Sequence, residues 1–242
     1  MENQYIILEK TCKTNDSKVI ELINSGIRPS KVCLDNACKV KSNSKNIITI
    51  IKNNVIPNVE NLLEVCSKKD NSDAIIYMIT NKYVIPDERC FSKINLYDDS
   101  NYAGFVEICS HITPTYKQLH KACGIKYAER SIRYMIQNIG IKPKYELLRV
   151  VLFHNRKNHG ILKVLFDNGI VIKKCHLLGK ARWLPFISVM LCFQNYVEKS
   201  SDVNKHEIIR SLSQYNIEVN TILKLLEILK DEHIDIFKLK PK

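Results

Sequence analysis

Residues 114–142 read PTYKQLHKACGIKYAERSIRYMIQNIGIK, and this stretch is the clearest copy of a unit that recurs along the chain. Its first apolar run contains Leu119 and Cys123, and its second contains Ile132 and Ile136. Both pairs have the spacing of one helical face. A polar break separates the two runs, and a glycine ends the second. The stretch therefore predicts two short helices joined by a turn.

Prolines mark the start of each copy, at spacings of 28, 29, 28 and 29 residues: Pro29, Pro57, Pro86, Pro114 and Pro143. When each proline is counted as zero, position 5 holds Leu34, Leu62, Phe91, Leu119 and Leu148. Position 18 holds Ile47, Ile75, Gly104, Ile132 and Ile161. Recurrence of large apolar residues at fixed positions indicates a repeat architecture. Each unit is predicted to be helix A, a turn, helix B and a second turn.

Proline and glycine mark the predicted ends of these helices. Proline is expected at or near the first turn of helix A, where its missing N–H costs nothing. Glycine in the segments NSGI, NIGI and DNGI is expected to end helix B in the left-handed conformation. Neither helix can bury its apolar stripe alone, so successive pairs must stack.

The sequence thus predicts an all-α protein, a right-handed α-solenoid of about seven or eight helix-turn-helix repeats of about 28–29 residues. We expect one domain over residues 1–242, with repeats over about 5–195 and a C-terminal cap over about 200–242. The unit at Pro86 should pack least regularly, because Asn95 and Gly104 occupy its core positions.

Composition is that of an ordinary folded protein, with 45% hydrophobic and 26% charged residues. No apolar run approaches the roughly 18–20 residues that span a bilayer, and the N-terminal residues do not resemble a signal peptide. The nine cysteines are evenly spread and include no CxxC pair, which favours reduced core thiols. We expect a cytoplasmic protein without a membrane segment, with the nucleus as the alternative.

The segment PTYKQLHKA, residues 114–122, resembles the T-P-L-H-x-A region of ankyrin repeats. The segments VIELINSGI and ILKVLFDNGI look like the second ankyrin helix and its closing glycine. The unit is shorter than the ~33-residue ankyrin repeat by about the length of the projecting finger. It is therefore similar to the degenerate ankyrin-like repeats of large cytoplasmic DNA viruses of the giant-virus or poxvirus type. This resemblance implies a non-catalytic binding scaffold. Pentatricopeptide-type hairpins, which bind single-stranded RNA, are a weaker resemblance.

The net positive charge of the chain comes from one segment. Residues 115–185 contain fifteen lysines and arginines and three acids, a net charge of +12 that equals the net charge of the whole chain. A basic stripe over successive repeats would bind phosphates or acidic side chains. The predicted binding residues are Lys117, Lys121, Lys126, Arg130, Arg133, Arg149, Arg156, Lys157, Lys173, Lys174 and Arg182.

Aromatic residues lie between these bases, namely Tyr116, Tyr127, Tyr134, Tyr145 and Trp183. Stacking on such rings is one way to hold single-stranded bases. The alternative is that the rings are half-buried helix residues beside a solvated basic face.

Nothing in the sequence marks an enzyme, a metal site or a cofactor site. P-loop, GxGxxG, HExxH, GxSxG and paired-carboxylate motifs do not occur. His154 and His159 lack the spacing of four residues that places two ligands on one helical face. Cysteines at equivalent repeat positions should lie roughly 10 Å apart, too far to share a metal ion.

Three functions remain open from the sequence. The first is a protein-interaction scaffold that binds a host or viral protein with an acidic surface. The second is a module that binds RNA or another nucleic acid through residues 115–185. The third is a purely structural component of a larger assembly.

Overall fold

The computed structural model of the chain describes residues 3–154, 159–171 and 195. These residues form twelve α-helices and one 3-10 helix and contain no β-strand, so the prediction of an all-α chain is confirmed for this part. The helices are α1 (Gln4–Thr11), α2 (Lys18–Asn24), α3 (Lys31–Cys38), α4 (Ser44–Lys52), α5 (Val59–Ser67), α6 (Ser72–Thr80), α7 (Arg89–Lys93), α8 (Tyr102–His111), α9 (Tyr116–Cys123), α10 (Glu129–Gln137), α11 (Glu146–His154) and α12 (His159–Asp167), with the 3-10 helix at Tyr97–Asp99.

The described helices follow one another as six hairpins, each with an odd-numbered A helix and an even-numbered B helix. A helices contact the A helix of the next hairpin from α1 to α7 and again from α9 to α11. B helices contact one another in unbroken order from α2 to α12. The hairpins are therefore arranged in sequence order, with A helices in one layer and B helices in another.

The predicted core positions are buried in the described hairpins, except that Asn95 is only half-buried. Within each hairpin the A and B helices place their apolar faces against each other and against the neighbouring hairpins, as the repeat pattern requires. The buried residues include Leu34, Leu62, Phe91, Leu119 and Leu148 of the A helices and Ile47, Ile75, Gly104, Ile132 and Ile161 of the B helices. Trp183 and the predicted C-terminal cap lie outside the described residues.

Three A helices, α3, α5 and α9, begin at a polar cap that follows the proline. Asn58 is the N-cap of α5, and its side chain accepts a hydrogen bond from the Asn61 backbone N–H at 3.0 Å. Pro57 lies one residue earlier, outside the helix. Pro29 and Pro114 have the same place before the N-caps Ser30 and Thr115. The proline thus lies before the first turn, because a serine, threonine or asparagine can cap an amide there and proline cannot.

The predicted glycine caps of the B helices are confirmed. Gly26 follows α2 with φ of 99°, and the Ile27 N–H donates to the Leu22 carbonyl at 3.2 Å. Gly140 and Gly169 have the same left-handed conformation after α10 and α12. The left-handed turn at each glycine lets a following backbone N–H group bond to a carbonyl in the last turn of the helix.

The hairpin at Pro86 is the least regular, as the sequence predicts. Its A helix α7 has only five residues and is followed by the 3-10 helix. In α8, Gly104 lies against Ile75 of α6, so closely that a Cβ at Gly104 would be 2.9 Å from the Ile75 Cδ1 atom. Phe105 and Phe91 are both buried beside it, with ring centroids 6.1 Å apart. The small residue allows close helix contact, and the two phenylalanines fill the adjacent space.

Three buried asparagines connect successive hairpins. The Asn43 backbone N–H donates to Oδ1 of Asn71 at 2.7 Å, and the Asn71 N–H donates to Oδ1 of Asn101 at 2.9 Å. The Nδ2 group of Asn71 donates to the Val40 carbonyl at 2.9 Å. All three asparagines are 0% exposed. We call Asn43, Asn71 and Asn101 the asparagine ladder. It satisfies buried backbone groups in the turns between the A and B helices.

The seven described cysteines are buried and form no disulfide, in agreement with the prediction of core thiols. Burial raises the pKa of Cys38 and of Cys123 to about 12. A hydrogen bond from Cys12 lowers the pKa of Cys33 to about 6, but Cys33 is only 1% exposed. Reactivity needs both a thiolate and access, and these side chains lack access.

We therefore expect iodoacetamide to leave these cysteines unmodified in the native protein and to modify all of them in denaturant. Peptide mass spectrometry measures the labelling of each site. Rapid native labelling at any of the seven would contradict the packing described above. The sites to be followed are Cys12, Cys33, Cys38, Cys66, Cys90, Cys109 and Cys123.

Candidate polyanion-binding surface

Six of the predicted binding residues lie in the described part of the chain: Lys117, Lys121, Lys126, Arg130, Arg133 and Arg149. The other five lie outside it: Arg156, Lys157, Lys173, Lys174 and Arg182. The six are divided between the two helix layers, so they do not form a single line. Lys117, Lys121 and Arg149 belong to A helices, and the others belong to α10 or to the turn before it.

The A helices α9 and α11 carry an exposed basic surface. It contains Lys117, His120 and Lys121 of α9 and Arg149 of α11, and all four residues are exposed. The connection from 138 to 145 adds exposed Lys142 and Lys144. We call these six residues the A surface. Over α9, α11 and this connection the sequence contains a single acid, Glu146.

Two lysines of the A surface contact neutral groups. The Nζ atom of Lys121 donates to the Ser92 carbonyl at 2.6 Å. The Nζ atom of Lys144 lies 4.8 Å from the centroid of the Tyr116 ring. Burial and the nearby Glu146 carboxylate raise the pKa of Tyr116. Because carbonyl and ring contacts do not neutralise an ammonium group, Lys121 and Lys144 keep their positive charge on the A surface.

The bases of the B layer have closer partners. The guanidinium of Arg133 is 2.9 Å from the Glu129 carboxylate, and that of Arg130 lies 4.1 Å from the centroid of the Tyr102 ring. Glu129 also packs against Gly160 of α12, leaving no room there for a Cβ. Two of the predicted basic residues, Arg130 and Arg133, therefore have contacts within the B layer.

The N-terminal hairpins differ in charge arrangement, because several of their bases form ion pairs with neighbouring acids. The described pairs are Lys31–Asp35 at 3.6 Å, Lys68–Glu64 at 2.7 Å, and Arg89 with Glu60 at 2.9 Å and Asp87 at 2.8 Å. Exposed pairs of this kind add little stability, but they lower the local net charge. The positive charge of the A surface thus depends on where acids lie relative to bases as well as on the number of bases.

Most of the tyrosines proposed to stack on bases pack inward. Tyr116, Tyr134 and Tyr145 are partly buried against the core, and the Tyr134 ring meets the Phe105 ring at a centroid distance of 6.2 Å. Tyr127 is exposed at 38%. Trp183 lies outside the described residues. Exposed Tyr97 pairs with Tyr127 but was not predicted, because it lies outside the basic segment.

Among the described residues, no group of three or more histidine, cysteine or acidic side chains is placed to hold a metal ion. The side chains of His154 and His159 are not part of the described structure. None of the helices described here combines the length and the apolar composition that a membrane span needs.

Comparisons with family models, with characterised proteins and with solved structures found no match to this chain.

Proposed function

We propose that this chain is a non-catalytic binding scaffold, a right-handed α-solenoid that binds an acidic protein partner through the A surface. The observation that carries the proposal is the set of exposed bases on α9, α11 and their connection, which has one acid among them. Stacked helical hairpins provide extended binding surfaces in repeat proteins. Complementary charge gives such a surface its association rate and part of its specificity.

The cytoplasm is the proposed compartment, with the nucleus as the alternative. Support comes from the seven described cysteines, which are free thiols. Disulfides are rare in both compartments. Kinship with viral ankyrin-like repeats is likewise a proposal, and it rests on the unit length and on the segment at residues 114–122.

Charge reversal on α9 tests the A surface. We expect Lys117→Glu with Lys121→Glu to weaken the binding of fluorescein-labelled poly-L-glutamate by at least about tenfold, because attraction becomes repulsion at two neighbouring positions. Fluorescence anisotropy measures the affinity. Lys41→Glu with Lys45→Glu is the control, since both lysines are exposed in an earlier hairpin and the charge change is the same.

The control should bind poly-L-glutamate like the wild type. Equal weakening by both variants would indicate an effect of net charge alone and would contradict a localised site. Unchanged binding by the α9 variant would contradict the proposal directly. Melting temperatures should be compared first, because the Lys121 side chain also contacts the Ser92 carbonyl.

Single-stranded RNA is the second candidate partner. It is favoured by basic side chains that lie over tyrosine rings: Arg130 over Tyr102, Lys126 over Tyr127 and Lys144 over Tyr116. Aromatic rings beside cations are the usual elements of single-strand binding. The same titration with labelled oligouridylate replaces the acidic polypeptide with a phosphate backbone and so compares the two ligands directly.

A further inference from the structure

The turns between A and B helices form one continuous edge. The Ser42 N–H donates to the Lys69 carbonyl at 2.9 Å, which joins the second turn to the third. The asparagine ladder joins the third turn to the fourth, since the Nδ2 group of Asn101 donates to the Lys68 carbonyl at 2.7 Å. Asp99 of the fourth turn accepts the Arg130 N–H at 3.1 Å at the start of α10. We call this series of turns the turn edge.

Two exposed tyrosines lie next to each other on the turn edge. Tyr97 is 45% exposed and Tyr127 is 38% exposed. Their ring centroids are 6.4 Å apart and their planes meet at 75°. The two residues come from consecutive hairpins, 30 positions apart in the sequence. Helix packing within each hairpin fixes the turns, so the pair is held in place without help from a ligand.

A lysine lies over each ring of this pair. The Nζ atom of Lys69 is 5.8 Å from the Tyr97 centroid, and that of Lys126 is 4.7 Å from the Tyr127 centroid. Nearby acids have hydrogen-bond donors of their own. Asp70 accepts from the Ser42 hydroxyl at 3.2 Å, and Asp99 accepts from backbone and hydroxyl groups of α10. The Lys126 ammonium group therefore lies beside the pair, where it could contact a phosphate.

We propose that Tyr97 and Tyr127 form a stacking site for bases of single-stranded nucleic acid, with Lys126 contacting a flanking phosphate. This proposal rests on the nucleic-acid candidate above. The 6.4 Å between ring centroids exceeds the rise of about 3.4 Å per nucleotide in a duplex strand. The bases on the two rings must therefore be splayed apart, as they are in single-stranded sites.

Removing the rings tests this site. We expect Tyr97→Ala and Tyr127→Ala each to weaken oligouridylate binding about tenfold, which is within the usual effect of losing one base-stacking residue. Tyr83→Ala is the matched control, because Tyr83 is 37% exposed and also pairs with a tyrosine, Tyr77, at 6.0 Å. The control should bind oligouridylate like the wild type. Anisotropy at low salt measures all four proteins.

An abasic oligonucleotide of the same length separates stacking from charge. It keeps the phosphates, so the wild type should bind it more weakly than oligouridylate, and the tyrosine variants should bind it like the wild type. Unchanged oligouridylate binding by both variants, with loss in the Lys117→Glu, Lys121→Glu variant, would overturn the stacking site and leave the nucleic-acid function standing. No binding by the wild type would overturn both.

Discussion

Replacing Gly104 by isoleucine is expected to destabilise the protein by about 3 kcal/mol or more, the upper range for overfilling a packed core. Isoleucine is the residue at this position in the hairpins before and after, so a repeat consensus would recommend the change. In the structure a Cβ at Gly104 would lie 2.9 Å from Cδ1 and 3.1 Å from Cβ of Ile75. Helices α6 and α8 would have to separate. Equilibrium denaturation in urea measures the loss.

Two further variants identify the cause. Gly104→Ala adds only the Cβ, and its gain of about 1 kcal/mol in helix propensity offsets part of the strain. Ile75→Ala removes the side chain that the new isoleucine meets. Gly104→Ile should therefore cost less in the Ile75→Ala background than in the wild type, because residues in contact do not act additively. Wild-type stability of the single Gly104→Ile variant would contradict the close packing of α6 against α8.

Asn71→Ala is expected to lower the free energy of unfolding by about 3 kcal/mol, since it leaves one buried and one partly buried polar group without partners, at roughly 1–3 kcal/mol for a fully buried group. These groups are the Asn43 N–H and the Val40 carbonyl, at 2.7 and 2.9 Å from the Asn71 side chain. Asn53→Ala is the matched control. The Asn53 side chain also donates to a backbone carbonyl, that of Thr49 at 2.9 Å, but this hydrogen bond is exposed to solvent.

The control should change the free energy of unfolding by less than about 0.5 kcal/mol, as exposed substitutions usually do. Amide hydrogen exchange gives a second readout. Asn71→Ala should accelerate exchange at Asn43, whose N–H loses its acceptor, and should do so before the protein unfolds globally. Equal effects of Asn71→Ala and Asn53→Ala on stability would show that the asparagine ladder does not hold the hairpins together.

The hairpins and their core could be predicted from the sequence because apolar residues recur at fixed positions. Each such position is buried between neighbouring helices, so an apolar residue is needed there in every hairpin. Examples are Leu62, Ile75 and Ile132. The asparagine ladder could not be predicted in this way. Asparagine between helices usually indicates a turn, and only the structure shows that the Asn71 side chain bonds to the preceding hairpin. Ala128 occupies the same place before α10, which hides the pattern further.

The charged segment was visible in the sequence, but its division between two surfaces was not. Lys121 and Arg133 lie in the same basic run, yet one contacts a carbonyl of the preceding A helix and the other pairs with Glu129 on its own helix. Such partners depend on helix phase and on the stacking of hairpins. Tyr97 was not predicted because it lies outside the basic segment, and only the structure shows its contact with Tyr127.

The proposed scaffold function depends most on where a ligand binds, and nuclear magnetic resonance can show this directly. Backbone amide shifts of the labelled protein would be recorded during titration with poly-L-glutamate at low salt. The expected perturbations cluster in α9, the connection at 138–145 and α11, and they disappear when salt is raised, since exposed charges are then screened. Perturbations confined to α1–α6, or none at all, would contradict the assignment of binding to the A surface.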